Sequence, residues 1–357
     1  MTKRLHLLQE AMKQAGVDAF LITRPENRFY FSGFTGSDGI LLVTPVNSYV
    51  FVDFRYIEQA KSQCSQWTVV QMSRSAATEG VLVYLKQDQV NVLGFEGDFL
   101  SYQEYCDWKE AWGIPLLSLP TMLSDIRKIK EPIEVEYIAR AVQLADDAFA
   151  HILSMIRPGV MEREIGLELE FFMRQQGASG GSFPFIVASG PRSAMPHGVA
   201  SERKIQQGDL LLMDYGAIFE GYCSDMTRTV MVGYAEEKHR TIYQIVLEAQ
   251  MAALATVKAG IPASMVDQAA REVIKSYGYG EYFGHGTGHG VGLVIHEEPR
   301  VSKNDDTILT EGMVITVEPG IYLPGWGGIR IEDMVLVKSQ GCNIFTKSPK
   351  QDLLVCA

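Results

Sequence analysis

Four carboxylates at matched positions carry the strongest chemical signal in this chain. Asp214 follows the apolar run Leu210-Leu211-Leu212-Met213, and Glu318 follows Val314-Ile315-Thr316-Val317. A second acid lies downstream of each, Asp225 in the first case and Glu332 in the second. A hairpin with its turn centred between Phe219 and Glu220 sets Asp214 directly opposite Asp225. One centred on Gly325 does the same for Glu318 and Glu332. Directly opposed like charges destabilise a sheet. No Lys or Arg lies between Lys204 and Arg228 to neutralise the first pair locally, and the apolar flanks predict at least partial burial. Carboxylates so placed need a cation, a proton or a metal ion. Any one of these acids alone reads most simply as an exposed hairpin residue or the partner of a distant arginine. Four at matched positions point to a shared divalent-metal site.

Between the hairpins runs Phe283-Gly-His285-Gly-Thr-Gly-His289-Gly-Val-Gly-Leu-Val-Ile-His296. Its glycines exclude a stable helix, so His285 and His289 are not the i,i+4 pair of a helical zinc motif. No Lys-Ser or Lys-Thr follows, which excludes a phosphate cradle. Glycine instead lets backbone approach a crowded site. A lone histidine is usually a surface or core residue; three in twelve positions beside four unexplained acids are functional candidates. Oxygen-rich ligands with one nitrogen favour six-coordinate Mn(II), Co(II) or Fe(II) over thiolate-bound tetrahedral zinc, with Zn(II) still open.

The elements that must position these groups come in two copies. Ile156-Arg-Pro-Gly159 through Gly177 aligns without gaps onto Val257-Lys-Ala-Gly260 through Gly278, each a turn, an amphipathic helix and a glycine stop. Gly208 through Gly216 then matches Gly312 through Gly320, carboxylate on carboxylate. Two helix-then-hairpin units predict a pseudo-twofold α+β domain, its helices packed on a curved antiparallel sheet. Ahead of it, residues 1–125 read as an α/β domain with a mixed sheet: a helix over 3–15, then strands at Asp18–Thr23, Gly39–Thr44 and Tyr49–Asp53. The boundary falls in the charged segment around Ser124–Pro132, leaving 126–357 as the second domain. Pro132 suits the first turn of a long helix to about Ile156.

With 357 residues and 46% hydrophobic, the chain can bury one or two cores. A net charge of −11 argues against nucleic-acid or anionic-membrane partners. The five cysteines are scattered with no C-x-x-C pair, which suits a reducing compartment. The N-terminus lacks the apolar core of a signal peptide, and no stretch is apolar enough to span a bilayer. A soluble cytoplasmic protein is the expectation.

At this point the sequence resembles the aminopeptidase P/prolidase branch of the pita-bread metallopeptidases, which also include methionine aminopeptidase and creatinase. The motifs are Val187-Ala-Ser-Gly-Pro-Arg-Ser-Ala-Met-Pro-His197-Gly, Met213-Asp214-Tyr-Gly, Ser224-Asp225-Met-Thr227-Arg-Thr, Gly288-His289-Gly-Val-Gly, Val317-Glu318-Pro-Gly320 and Gly328-Ile-Arg330-Ile-Glu332-Asp. Asn27-Arg-Phe-Tyr30-Phe-Ser-Gly33-Phe resembles that branch's non-catalytic N-terminal domain.

The resemblance implies a pita-bread catalytic domain and hydrolysis of the peptide bond preceding proline, by a dipeptidase or an aminopeptidase. It makes Asp214, Asp225, His289, Glu318 and Glu332 the ligands of two divalent ions, Mn(II) foremost. Asp225 and Glu332 would bridge, Asp214 would chelate one ion, and His289 with Glu318 would complete the other. A bridging hydroxide would attack the scissile carbonyl, and Glu318 would relay the proton to the leaving nitrogen. His197 and His296 would hydrogen-bond the substrate and the tetrahedral intermediate. His285, nearer the rim, and Arg300, suited to a dipeptide's free carboxylate, are substrate-binding candidates; Arg300 is as readily a surface arginine balancing Glu297 or Glu298. Arg330, the third such candidate, shares a face with Glu332 and could orient ligands, as could Thr227 beside Asp225. Cys223 reads as core filler. The partners implied are short proline-containing peptides and a second subunit, since relatives are commonly homodimers in which one N-terminal domain borders the neighbour's active site. A methionine aminopeptidase would lack the N-terminal domain, a creatinase-like enzyme would have lost ligands, and a non-catalytic peptide-binding module would not need four clustered acids.

Overall fold

The computed structural model describes residues 3–73 and 77–356. The chain divides into two compact units between Arg127 and Lys128.

The first unit opens with α1 (Lys3–Ala15), β1 (Ala19–Ile22), α2 (Pro25–Ser32), β2 (Ile40–Val43), β3 (Ser48–Val52) and α3 (Ile57–Gln63). It continues through β4 (Thr68–Gln71), α4 (Ala77–Gln87), β5 (Leu93–Phe95), α5 (Tyr102–Trp112), β6 (Leu116–Ser118) and α6 (Met122–Arg127). The strands lie in the order β4-β3-β2-β1-β5-β6. β1–β2, joined through α2, and the hairpin β2–β3 are antiparallel, and the other pairs are parallel. This is the mixed sheet read from the sequence. Its alternate residues Leu21, Leu42 and Phe51 pack on Val81 and Leu85 of α4 and on Trp108 and Trp112 of α5. A reciprocal Ser101–Glu104 cap starts α5, and Gly113, left-handed at φ 65°, ends it.

The second unit opens with α7 (Pro132–Ile152), which ends a turn earlier than expected, and α8 (Glu162–Gln175). Then come β7 (Gly180–Gly181), β8 (Ile186–Ser189), β9 (Leu210–Tyr215), β10 (Ala217–Phe219), β11 (Tyr222–Cys223) and β12 (Met226–Val232). The second half repeats the plan with α9 (Glu237–Thr256), α10 (Ala263–Ser276), β13 (Gly288–Gly290), β14 (Glu297–Val301) and β15 (Val314–Val317). It closes with β16 (Gly320–Leu323), β17 (Gly327–Arg330), β18 (Asp333–Val337), β19 (Cys342–Ile344) and β20 (Val355–Cys356). Helices α8 and α10 both span 14 residues and begin at the same point of the repeat. Gly177 and Gly278 follow them at φ 106° and 83°.

Each half buries its own helix pair against its own sheet. Leu144, Phe149, Ile165 and Leu169 of α7 and α8 meet Val187, Leu211, Met213 and Val230 of the sheet β20-β12-β9-β8. In the second half Ile242, Val246, Val266 and Ala270 meet Ile315, Val317, Val335 and Val337 of β14-β13-β15-β18-β19. Fully burying a Leu, Ile, Val or Phe side chain contributes roughly 1.5–3 kcal/mol, so these faces fix where β9, β12, β15 and β18 lie. The pseudo-twofold, helix-on-sheet plan is as the repeat predicted.

The two hairpins differ from the expected registers in one respect. In the second, Leu323 pairs with Gly327 and Val317 with Asp333, which centres it on Gly325 as expected. In the first, Phe219 pairs with Tyr222 and Asp214 with Thr227. Its turn is therefore Glu220-Gly221, one residue later than expected, and Asp225 lies two positions along from the residue opposite Asp214. The reason is steric. A two-residue hairpin turn of this hand needs φ > 0 at both central residues; Glu220 and Gly221 adopt 49° and 82°. The expected centre would have forced Phe219 into that region.

Candidate metal centre

Three of the four acids sit at breaks in the paired strands. Asp214 is on β9, Asp225 is in the link between β11 and β12, Glu318 is between β15 and β16, and Glu332 is between β17 and β18. Asp214, Asp225 and Glu332 are 7%, 5% and 1% exposed. One carboxylate oxygen of each lies within 4.8 Å of the other two. Burial, then the neighbouring acids, push Asp225 and Glu332 well above the usual carboxylate range. Burial also raises Asp214, with Arg330 opposing. His289, the middle residue of β13, brings Nε2 to 3.5 Å from Asp225 Oδ2 and 3.4 Å from Glu318 Oε1.

Three features of this cluster call for a cation. Asp214 Oδ1 and Glu332 Oε1 are buried with no hydrogen-bond partner, a costly arrangement for a polar atom. His289 Nδ1 donates to the Gly290 carbonyl at 3.0 Å, which leaves Nε2 as the ring nitrogen facing the two carboxylates. The acids themselves repel. Divalent ions set among these oxygens and this nitrogen satisfy all three, so the donor set fits a metal. The glycines of the β13 run permit the crowding. A Cβ on Gly288 would stand 2.1 Å from the Thr316 carbonyl oxygen, and one on Gly290 2.4 Å from that of Glu298.

Around the acids lies a chain of donors. Arg330, 3% exposed, donates through Nη2 to Asp214 Oδ2 and through Nε to Thr227 Oγ1 at 2.9 Å. The Thr227 hydroxyl donates on to Glu332 Oε2 at 2.7 Å. Arg330 Nη1 donates to the Tyr322 oxygen at 2.8 Å and to the Pro196 carbonyl at 3.3 Å. The Tyr322 hydroxyl, pushed up to about 12 by burial, stays protonated and donates to His285 Nε2 at 2.8 Å; His285 Nδ1 donates to the Gly286 carbonyl at 2.7 Å. Burial lowers the basicity of His285 and keeps it neutral.

This network engages two of the substrate-binding candidates. The Arg330 guanidinium is buried and committed to protein acceptors, so it orients Asp214 and, through Thr227, Glu332. His285 has both ring nitrogens engaged and supports Tyr322. Sequence reasoning missed Tyr322 itself, although it shares the alternating face of Glu318 and pairs with Gly328, two residues before Arg330.

A second buried cation ties the two halves together behind the acids. Arg228 of β12 donates to the carbonyls of Thr227, Glu332 and Ser348 and to Asp333 Oδ1, the last at 2.8 Å. Asp333 Oδ2 also receives Lys350 and Gln250.

Of the remaining candidates, His296, His197 and Arg300 are exposed and Cys223 is buried. His296 is exposed, and its ring meets that of His289 edge-on with centroids 4.5 Å apart. Desolvation, then His289, lower its basicity, and His197 acts in the same direction. His197 is exposed in the loop after the Gly190–Ala194 turn. Arg300 is exposed on β14, directly across from His289. Glu297, one acid that could have balanced it, pairs with Lys130 at 3.2 Å. Cys223 is 3% exposed and faces the Leu293 carbonyl, as core filler does.

Comparison with known proteins places this geometry. The model of metallopeptidase family M24 matches residues 136–339, and that of the creatinase/prolidase N-terminal domain matches residues 4–129. An Xaa-Pro dipeptidase of Pyrococcus furiosus is 42% identical, over 98% of this chain and 99% of its own. The structure of an Xaa-Pro dipeptidase from Bacillus anthracis superposes with a TM-score of 0.96 at 46% identity, covering 99% of both chains. That of an X-Pro aminopeptidase from Thermotoga maritima gives 0.90 at 38%, covering 97% of this chain and 100% of its own. With both of its units matched, this chain belongs to metallopeptidase family M24 and carries the creatinase/prolidase type of N-terminal domain.

Proposed function

We propose that the chain is a two-metal peptidase that hydrolyses the bond preceding proline in short peptides. The observation that carries the reading is the buried cluster of Asp214, Asp225 and Glu332, with its orphaned oxygens and His289 Nε2 turned toward it. Charge supports two ions. Four carboxylates against one guanidinium leave about three uncompensated negative charges; one divalent ion leaves about one, and two turn the centre positive by about one. A net positive centre favours an anionic nucleophile and a polarised carbonyl. In the occupied site the ions supply the activated water and the Lewis acid.

The chain's own residues do the rest. Asp214, Asp225, His289, Glu318 and Glu332 would hold the ions. Glu318, less buried than Asp225 and Glu332, takes the proton and passes it to the leaving imino nitrogen. His296, exposed beside His289, and the exposed His197 donate to the substrate carbonyl and to the oxyanion that develops from it. Arg330, Tyr322, Thr227 and His285 keep the carboxylates aimed. The preference for proline rests on the relatives, which are named Xaa-Pro dipeptidase and X-Pro aminopeptidase.

The unit that begins at Lys128 is the catalytic one in this reading. Mn(II) is the ion favoured by an oxygen-rich set with one nitrogen. Five free cysteines suit a cytoplasmic setting, and a homodimer follows the family resemblance. The deciding experiment is elemental analysis of the purified protein, together with hydrolysis of an Xaa-Pro dipeptide and of a peptide with N-terminal methionine. Two divalent ions per chain and cleavage confined to the proline substrate are expected; no metal dependence, or preference for the methionine peptide, overturns the reading.

A further inference from the structure

The loop that carries His197 hangs from one buried carboxylate. Glu162, the first residue of α8, is 0% exposed and lies far from any metal ligand in sequence. Its Oε1 accepts the backbone N–H and the hydroxyl of Ser189, both at 2.7 Å. Its Oε2 accepts the same two groups of Ser201, the N–H at 3.1 Å, and the Arg192 guanidinium as well. Ser189 ends β8 where the loop departs, and Ser201 stands where it returns. Each carboxylate oxygen thus holds one end of the loop 190–200. Arg192 Nη2 donates onward to the Val199 carbonyl at 2.9 Å, cross-bracing the loop from inside. The backbone adds to the clamp: Glu162 N–H donates to the Arg203 carbonyl at 3.0 Å and Arg163 N–H to that of Ser201 at 2.9 Å.

Between those ends the first part of the loop is held by buried Ser193, whose hydroxyl accepts the Gly328 N–H at 2.8 Å, while the part around His197 is open. Met195 and Val199 are 55% and 53% exposed, and His197 is exposed between them. The loop touches the metal centre through the Pro196 carbonyl, which accepts from Arg330 Nη1 at 3.3 Å. A carboxylate that accepts two hydroxyls, two amides and a guanidinium is a far stiffer anchor than the exposed loop could provide for itself.

We propose that Glu162 is a positioning residue for the peptidase reaction, setting the place of His197 over the substrate carbonyl by clamping both ends of its loop. The inference rests on the substrate role given to His197 above. Misplacement by about 1 Å costs on the order of 100-fold in a well-aligned reaction.

The test is a double-mutant cycle on the metal-loaded enzyme with Glu162→Gln, His197→Ala and the two combined, assayed on an Xaa-Pro dipeptide with metal content measured in parallel. Glu162→Gln keeps the shape but turns one acceptor into a donor facing groups that are themselves donors. The expected result is two ions bound in every variant, and kcat/KM lowered on the order of 10- to 100-fold by either single change. The double variant should be no worse than the more impaired of the two. Losses that multiply, a Glu162→Gln enzyme at wild-type rate, or one that loses its metal overturn the clamp while leaving the role of His197 standing. A His197→Ala enzyme at wild-type rate overturns that role and the clamp with it. Should Glu162→Gln not fold, Ser201→Ala withdraws one hydroxyl donor from the same carboxylate and takes its place in the cycle, with a smaller loss and the same lack of additivity.

Discussion

Replacing Asp225 by Asn should stabilise the metal-free protein while abolishing its response to metal. The oxygens of Asp214, Asp225 and Glu332 lie no more than 4.8 Å apart. At an effective dielectric of about 20, two unit charges at that distance repel by ~3.5 kcal/mol. Protonation limits how much of that repulsion the empty site retains, so removing the Asp225 charge should return about 1–3 kcal/mol. For a unit of this size each kcal/mol shifts the melting temperature by roughly 2–4 °C, which predicts a rise of roughly 2–12 °C in stripped protein. Loaded protein should behave in the opposite way. An ion at one hundred times its dissociation constant stabilises the wild type by about 2.7 kcal/mol. The variant, holding an amide where the ions need an anion, should gain little and turn over almost no substrate. Thermal melts of chelator-stripped protein titrated with Mn(II), with elemental analysis at each endpoint, measure both effects. A stripped variant that melts below stripped wild type refutes the electrostatic argument. Two retained ions with a near-normal rate refute the placement of Asp225 among their ligands.

Chelation should abolish hydrolysis, with Mn(II) or Co(II) restoring it best; full activity in a sample shown free of metal by elemental analysis excludes the metal mechanism. His296→Ala should lower kcat on the order of 100-fold or more, the loss of one oxyanion donor costing about 3–4 kcal/mol, with metal content unchanged. If metal affinity falls in step with activity, His296 is a ligand. Arg300→Ala should raise KM for Xaa-Pro dipeptides more than for a tetrapeptide, whose carboxylate lies elsewhere; equal losses on kcat/KM for both substrates remove any length-sensing role and favour an aminopeptidase-like enzyme.

What could be read from the sequence follows the range of the forces involved. The apolar runs before Asp214 and Glu318 did become β9 and β15, and the ungapped repeat placed α8 and α10 at equivalent points, because periodicity and glycine stops act over a few residues. The matched acids were legible for the same reason. The cation that meets Asp214 was not: Arg330 is 116 residues away in sequence, and nothing local couples them. Nor was the Glu162 clamp, whose partners Ser189 and Ser201 are ordinary serines until the loop closes. The first hairpin lies one residue later than a register opposing the two acids would set it, because turn stereochemistry outweighs that pairing. Glu220-Gly221 carries the better signal, a glycine at the second central position, and reading it would have put Thr227 opposite Asp214.

Arg228 has a bearing on how the centre is assembled. Its guanidinium lies in the first half, and the Glu332 carbonyl and Asp333 carboxylate it holds lie in the second, 104 and 105 residues on. Neither half contains a complete ligand set, and the first half alone would bury Arg228 without its counter-ion, at a cost of about 3–5 kcal/mol. The halves are therefore not separable modules, despite their repeat. Contacts of such long sequence separation form late, after the closure entropy of the intervening chain has been overcome. On refolding, helix content and local hairpins should return first, and tight metal uptake should lag behind them, marking the moment the two halves dock.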